Sequence, residues 1–173
     1  MFPTILLIIV VLIAAFIAYV SSKPGTFKVE RRITINAKPE KIFPLINDFH
    51  KWAEWSPYEK MDTNMKKTYS GNESGVGAIY EWEGQKTGAG KMEMLNSSPS
   101  KITIKLDFSK PFEAHNMAEF ILNSAGESTE VVWLMYGPSS FMYKCMSTFI
   151  NMDEMVGKDF AVGLQNLKTI SEK

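Results

Sequence analysis

Three side chains are of the right type to move protons. Glu81 and Glu83 share one face of an alternating segment whose other face carries Tyr80 and Trp82. His115 opens a later segment, with Glu113 and Glu119 on its own face. A carboxyl raised by an apolar cavity, or an imidazole flanked by carboxylates, can act as a general acid or base. Glu81, Glu83 and His115 are therefore the candidate polar groups of a cavity. Alternation alone does not say which sheet face is concave, and a solvent-facing edge accounts for the same pattern. Other chemistry is sparse. Gly71-Asn-Glu-Ser-Gly-Val-Gly77 lacks the Lys-Ser/Thr of a phosphate loop and reads as a hairpin turn. No Gly-x-Ser-x-Gly, His-Glu-x-x-His or Cys-x-x-Cys occurs. His50 reads as a surface residue, and the lone Cys145 as packing on an apolar stripe. No catalytic residue, metal site or cofactor is expected.

The elements that must position these groups follow from periodicity. Phe27 to Ile35 alternates as a strand, with Phe27, Val29, Arg31, Ile33 and Ile35 on one face. Lys38-Pro39-Glu40 starts a helix that Pro44 keeps short, and an aromatic helix follows over Asp48 to Trp55. Six further strands are expected at 65–70, 76–83, 88–95, 101–108, 115–123 and 128–136. They are separated only by turn-forming clusters, so the pairing is antiparallel. After Gly137-Pro138-Ser139-Ser140, an apolar stripe runs from Phe141 through Cys145, Phe149, Met152, Val156, Phe160, Leu164 and Leu167 to Ile170. That period predicts one long helix lying across the sheet, an α+β two-layer fold.

Charge and the first residues bound the setting. Lys plus Arg and Asp plus Glu are 19 each, which lacks the basic footprint of a nucleic-acid binder. Residues 5–18 carry no polar side chain, and the apolar stretch extends over 2–20. Such a helix covers roughly 28 Å, close to the hydrocarbon thickness of a bilayer. Residues 1–22 are read as a transmembrane anchor, 23–26 as a linker and 27–173 as one domain. A signal peptide that is cleaved on export is the rival reading; the basic n-region and small-residue exit expected of one are poor here. Lys23, Lys28, Arg31, Arg32, Lys38 and Lys41 follow the span, which places the domain on the cytoplasmic side.

The order strand, two short helices, six strands and a long helix resembles the helix-grip fold of the START/Bet v 1-like (SRPBCC) superfamily, which includes polyketide cyclase and dehydrase-like proteins. The residues carrying the resemblance are Val29-x-Arg-x-Ile33-x-Ile-x-Ala37-x-Pro39-x-x-Ile42-Phe43, Asp48-Phe-x-x-Trp52-x-x-Trp55-Ser56-Pro57 and Val156-Gly-Lys-Asp-Phe160-x-x-Gly163-Leu164. It implies a seven-stranded curved antiparallel sheet wrapped on the C-terminal helix. It also implies an apolar cavity between them, for which Trp52, Trp55, Trp82, Phe108, Phe120, Trp133, Phe141, Met152, Val156 and Phe160 are the candidate lining. Aromatic and Met residues at such spacing equally build a core, and the superfamily houses several activities. The favoured reading is a membrane-anchored, non-catalytic binding or carrier domain for a hydrophobic small molecule or lipid. The region 141–150 is its candidate entrance lid. A cyclase- or dehydratase-like enzyme and a co-chaperone-type interaction module are the alternatives; no protein partner is identified.

Overall fold

The computed structural model describes residues 2–173. Helix α1 spans Phe2–Ser21; Pro3 to Tyr19 are exposed, whereas Val20 near its end is fully buried. Strand β1 (Thr26–Ile35) is followed by α2 (Pro39–Asn47), a 3-10 turn (Phe49–Lys51), and the one-turn helices α3 (Trp52–Trp55) and α4 (Tyr58–Met61). Strands β2 (Lys66–Gly71), β3 (Ala78–Gly84), β4 (Gly88–Ser98), β5 (Lys101–Lys110), β6 (Ala114–Ala125) and β7 (Ser128–Pro138) come next. Two helices close the chain, α5 (Phe141–Phe149) and α6 (Met152–Ser171).

All seven expected strands are present in one antiparallel sheet of order β1-β7-β6-β5-β4-β3-β2. The chain meanders from β2 to β7, and β1 completes the sheet beside β7, as the helix-grip architecture requires. The inner face is apolar by strand parity: Val29, Tyr80, Met92, Met94, Ile102, Ile104, Phe120, Val131 and Trp133 are all buried in one core. Helix α6 crosses this face above β1, and α2 and α3 lie beside it. Turns with no room for a side chain complete the hairpins. Gly71 has φ +72°, and a Cβ there would collide with the carbonyl of Gly77.

The C-terminal helix differs from the expectation of one continuous rod. It is broken at Ile150–Asn151, where both residues are extended. Asn151 then caps α6, its Oδ1 accepting from the Glu154 backbone N–H at 3.1 Å. The apolar stripe therefore does not face the sheet throughout. Phe149 is 78% exposed and no residue of α5 is buried, whereas Phe160, Leu164 and Leu167 of α6 are core. The aromatic helix region is likewise more segmented than expected, because Pro57 ends α3 and opens the extra turn α4.

Candidate functional site

The large side chains between sheet and α6 fall into a tightly packed half, where they are buried, and a looser half, where they are only partly buried. In the filled half, Trp133 of β7 stacks on Phe160 of α6 with centroids 4.0 Å apart and planes within 5°. Phe120 stacks on the same indole at 5.0 Å, and Trp52 and Trp55 meet both rings edge-on or tilted. Both helix indoles are anchored by their N–H groups, Trp52 to the Ile46 carbonyl and Trp55 to the Leu45 carbonyl, each at 2.9 Å. Edge-to-face and offset pairs of this kind add to area burial and fix ring orientation.

The looser half lies toward the end of the sheet where β1 begins and β7 ends. There the inner face carries Trp82, Gly90, Phe108, Ala114, Asn116 and Gly137. Trp82 lies across Gly90, meets Phe108 edge-on at 5.7 Å and donates its N–H to the Thr87 carbonyl at 3.2 Å. Trp82 and Phe108 are only partly buried. Asn116 is buried, on the same strand face as Ala118 and Phe120, and its side-chain carbonyl has no hydrogen-bond partner. A buried acceptor of this kind costs free energy until a donor reaches it. Gly137 leaves the space into which that carbonyl points, since a Cβ there would collide with it.

Three further polar groups, Tyr80, Tyr58 and Asp159, are wholly or partly buried near the aromatic core. Tyr80 donates its hydroxyl to Glu59 at 2.6 Å, and Glu59 is paired with Lys67. Burial pushes the Tyr58 phenol well above its ordinary range, and the negative charge of Asp159 adds to this. Asp159 of α6 is itself held above the usual carboxylate range by burial, opposed only by the charge of its neighbour Lys158. A folded-state pKa above the unfolded one means that the ionised form is penalised. The native chain then loses stability as pH rises through the carboxylate range, and retains none of that penalty below it. Asp159→Asn is expected to be the more stable chain at pH 7 in urea unfolding. The gap should close below about pH 4, where the unfolded carboxyl is also protonated.

The candidate lining residues separate accordingly. Trp52, Trp55, Phe120, Trp133 and Phe160 are brought together as one packed aromatic cluster, while Trp82 and Phe108 border the looser half. Val156 is partly buried against the core. Met152 lines a cleft of about 430 Å³ at the α5–α6 corner. Phe141 is 53% exposed on α5 and stands away from the cluster, because the helix break swings its segment off the sheet. The polar expectations are corrected. Glu81 and Glu83 alternate with inward Tyr80 and Trp82, so they lie on the outer face, where Glu83 pairs with Lys110 at 2.6 Å. His115 is also outward and exposed, with Nδ1 2.8 Å from Asp107 and Nε2 3.2 Å from Glu113.

The groups that sequence reading passed over are Asn116, Tyr58, Asp159 and Arg31. Arg31 stands on the apolar face of β1 and makes a two-pronged contact with the Asp153 carboxylate, at 3.2 and 3.0 Å, plus the Asp153 carbonyl at 2.9 Å. It thereby ties the first turn of α6 to the sheet. Its charged head amid four apolar residues of the same parity was the available signal.

Solved structures of similar fold include protein CV1439 from Chromobacterium violaceum, 17% identical, with a TM-score of 0.61 over 87% of this chain and 99% of that one. The Aha1 dimer from Colwellia psychrerythraea is 17% identical, with a TM-score of 0.60 over 84% of this chain and 96% of that one. DynU16, from the dynemicin biosynthetic locus, is 11% identical, with a TM-score of 0.60 over 84% of this chain and 47% of that one. At such identities the likeness is one of fold. A comparison with curated protein sequences found no match. Residues 26–172 match a sequence family from end to end of the globular part, and the chain belongs to that family, described as polyketide cyclase / dehydrase and lipid transport.

Proposed function

We propose that the protein is a membrane-anchored binding or carrier domain that holds a hydrophobic small molecule or lipid between the inner sheet face and α6, without altering it. The observation that carries this reading is the looser half of the interior. It offers partly buried aromatic walls at Trp82 and Phe108 beside an unpartnered buried acceptor at Asn116. Apolar walls with a few converging polar groups are what small-molecule sites require. The family description, with its mention of lipid transport, agrees with this. Helix α1 is long and apolar enough to cross a bilayer. With the Lys and Arg residues that follow it, the domain sits on the cytoplasmic side, with its looser end toward the membrane.

The test is mass spectrometry of small molecules extracted from the full-length chain purified in detergent. One apolar class should be enriched over an unrelated single-span protein prepared alongside. Phe108→Glu places a charge in the looser half at a partly exposed position, so folding survives. This variant should retain at least roughly tenfold less of that class, the scale of a charge placed in an apolar site. No enrichment in the wild-type chain would sink the carrier reading.

A second reading has one observation in its favour. Asp159 is a half-buried carboxyl whose charge is felt by Tyr58, with no cation other than its sequence neighbour acting on it, and its pKa is raised. Such a group can donate a proton, as a cyclase- or dehydratase-like reaction would need. Under that reading Asp159→Asn retains the bound molecule but no longer converts it. Under the carrier reading the wild type and the variant release it unchanged.

A further inference from the structure

The segment that leaves the sheet, α5, buries no side chain in the core. It packs on α1 and on the start of β1. Phe149 stacks on Phe16 of α1 with centroids 6.1 Å apart, and Tyr143 stacks on Phe27 at 4.6 Å, just after α1 ends. Phe16 lies five residues before Ser21, so Phe149 is about 7.5 Å inward from the end of α1. If α1 spans a bilayer, that depth is already within the boundary between headgroups and acyl chains. Ile150 beside it is exposed as well, and so are Phe141 and Met142 at the start of α5 and Met155 in the first turn of α6.

The charges at this level fit the same surroundings. Lys23 reaches the Ser147 hydroxyl at 3.3 Å, and Lys144 reaches the Ser21 carbonyl at 3.4 Å. Neither ammonium is in an ion pair among the described residues, although most lysines of the sheet are. Lys23 also sits 5.6 Å above the ring of Tyr19, the aromatic at the exit of α1. An aromatic ring and two free ammonium groups just beyond a ring of large apolar side chains is the order of a membrane surface met from below.

We propose that α5 is an interfacial membrane element. Phe149 and Ile150 enter the leaflet that α1 leaves, and Lys23 and Lys144 take the phosphates of anionic phospholipids there. The proposal rests on α1 being a retained membrane span, and it gives the carrier site a lipid-facing gate: the cleft at the α5–α6 corner is lined by Phe149 and Ile150.

The test uses the full chain in lipid nanodiscs. Cys145 is the only cysteine, so Cys145→Ser gives a background for single spin labels at Phe149→Cys, at Ile13→Cys in α1, and at Ser124→Cys by the distant β6–β7 turn. Collision with oxygen reports lipid, and collision with a water-soluble nickel chelate reports water. The label at 149 should follow the one at 13, with oxygen favoured several-fold over nickel, and the label at 124 should show the reverse. Replacing phosphatidylcholine with phosphatidylglycerol should lower nickel access at 149 several-fold. Lys23→Gln with Lys144→Gln should abolish that difference. A label at 149 that behaves like the one at 124, while 13 is in lipid, overturns the proposal and spares the anchor. A label at 149 shielded from both reagents also overturns it, since protein then covers α5. A water-exposed label at 13 removes the anchor and this proposal together, while the extracted-ligand experiment still judges the carrier reading.

Discussion

Trp133→Ala is expected to lower the stability of the domain by about 3–5 kcal/mol, the range for deleting a large aromatic from a packed core. The indole is 3% exposed and is the hub of the interior. Phe160 and Phe120 stack on it, and Trp52, Trp55 and Tyr58 meet it edge-on. Its removal takes away the transfer free energy of the ring, the orientation of five neighbours and the floor on which α6 rests. The rings around it are held by backbone hydrogen bonds at Trp52 and Trp55, so they do not collapse freely into the space. For a chain of this size each kcal/mol corresponds to about 2–4 °C in Tm, so the melting point should fall by about 6–20 °C. Trp82→Ala is the matched control. That indole is only partly buried and borders the looser half, and its loss should cost about half as much or less. Near-ultraviolet circular dichroism of the two variants on heating gives both values. Equal, small losses would mean that the filled half is not the stabilising core and that its aromatic residues are free to line a ligand.

The contrast between these two tryptophans shows how far the sequence could be read. Both lie on alternating strands; alternation predicted the strands, the turn clusters between them the antiparallel pairing, and a helical apolar period the helix that covers them. What alternation does not carry is the sign of curvature. Glu81 and Glu83 were as consistent with a cavity as with solvent until the position of Tyr80 in the core fixed the inner face. The helix break was hidden for a different reason. The steps of four and three residues continue across Ile150–Asn151, so period alone sees one rod. A local signal was present: Asn151 three residues before Glu154, with Asp153 between, is the pattern of a helix start. The density of aromatic residues did not distinguish packing from lining, because both need the same side chains. Asn116 shows the limit most plainly. A single Asn among alternating residues has no pattern, and only the absence of a partner in the folded chain marks it.

The two α6 glycines provide a sharper test of how closely the helix is seated. In a solvent-exposed helix interior, Gly→Ala stabilises by about 1 kcal/mol, because the backbone loses less entropy on folding. At Gly163 that gain should be overwhelmed. A Cβ there would lie 2.7 Å from the ring of Trp133 and 3.0 Å from the Pro57 ring, on opposite partners that are both rigid. Either the helix lifts from the sheet or the indole leaves its stack with Phe160. Gly163→Ala should therefore be destabilising by about 1–3 kcal/mol net, and Gly163→Leu by more, as overpacking of a filled site demands. Six residues earlier the same change should be almost silent. The three atoms nearest to a Cβ at Gly157 all belong to the guanidinium of Arg31, the end of a flexible side chain. Displacing it forfeits the pair with Asp153, which is partly exposed at both ends and worth about 0–1 kcal/mol, against a similar gain in helix propensity. Urea unfolding of Gly157→Ala and Gly163→Ala in parallel separates the two cases. If both are neutral, α6 is loosely held and the whole interior is available to a ligand. If only Gly163→Ala is costly, the helix is clamped at its middle, and room for a bound molecule lies toward its start, beside Asn116, Trp82 and the membrane.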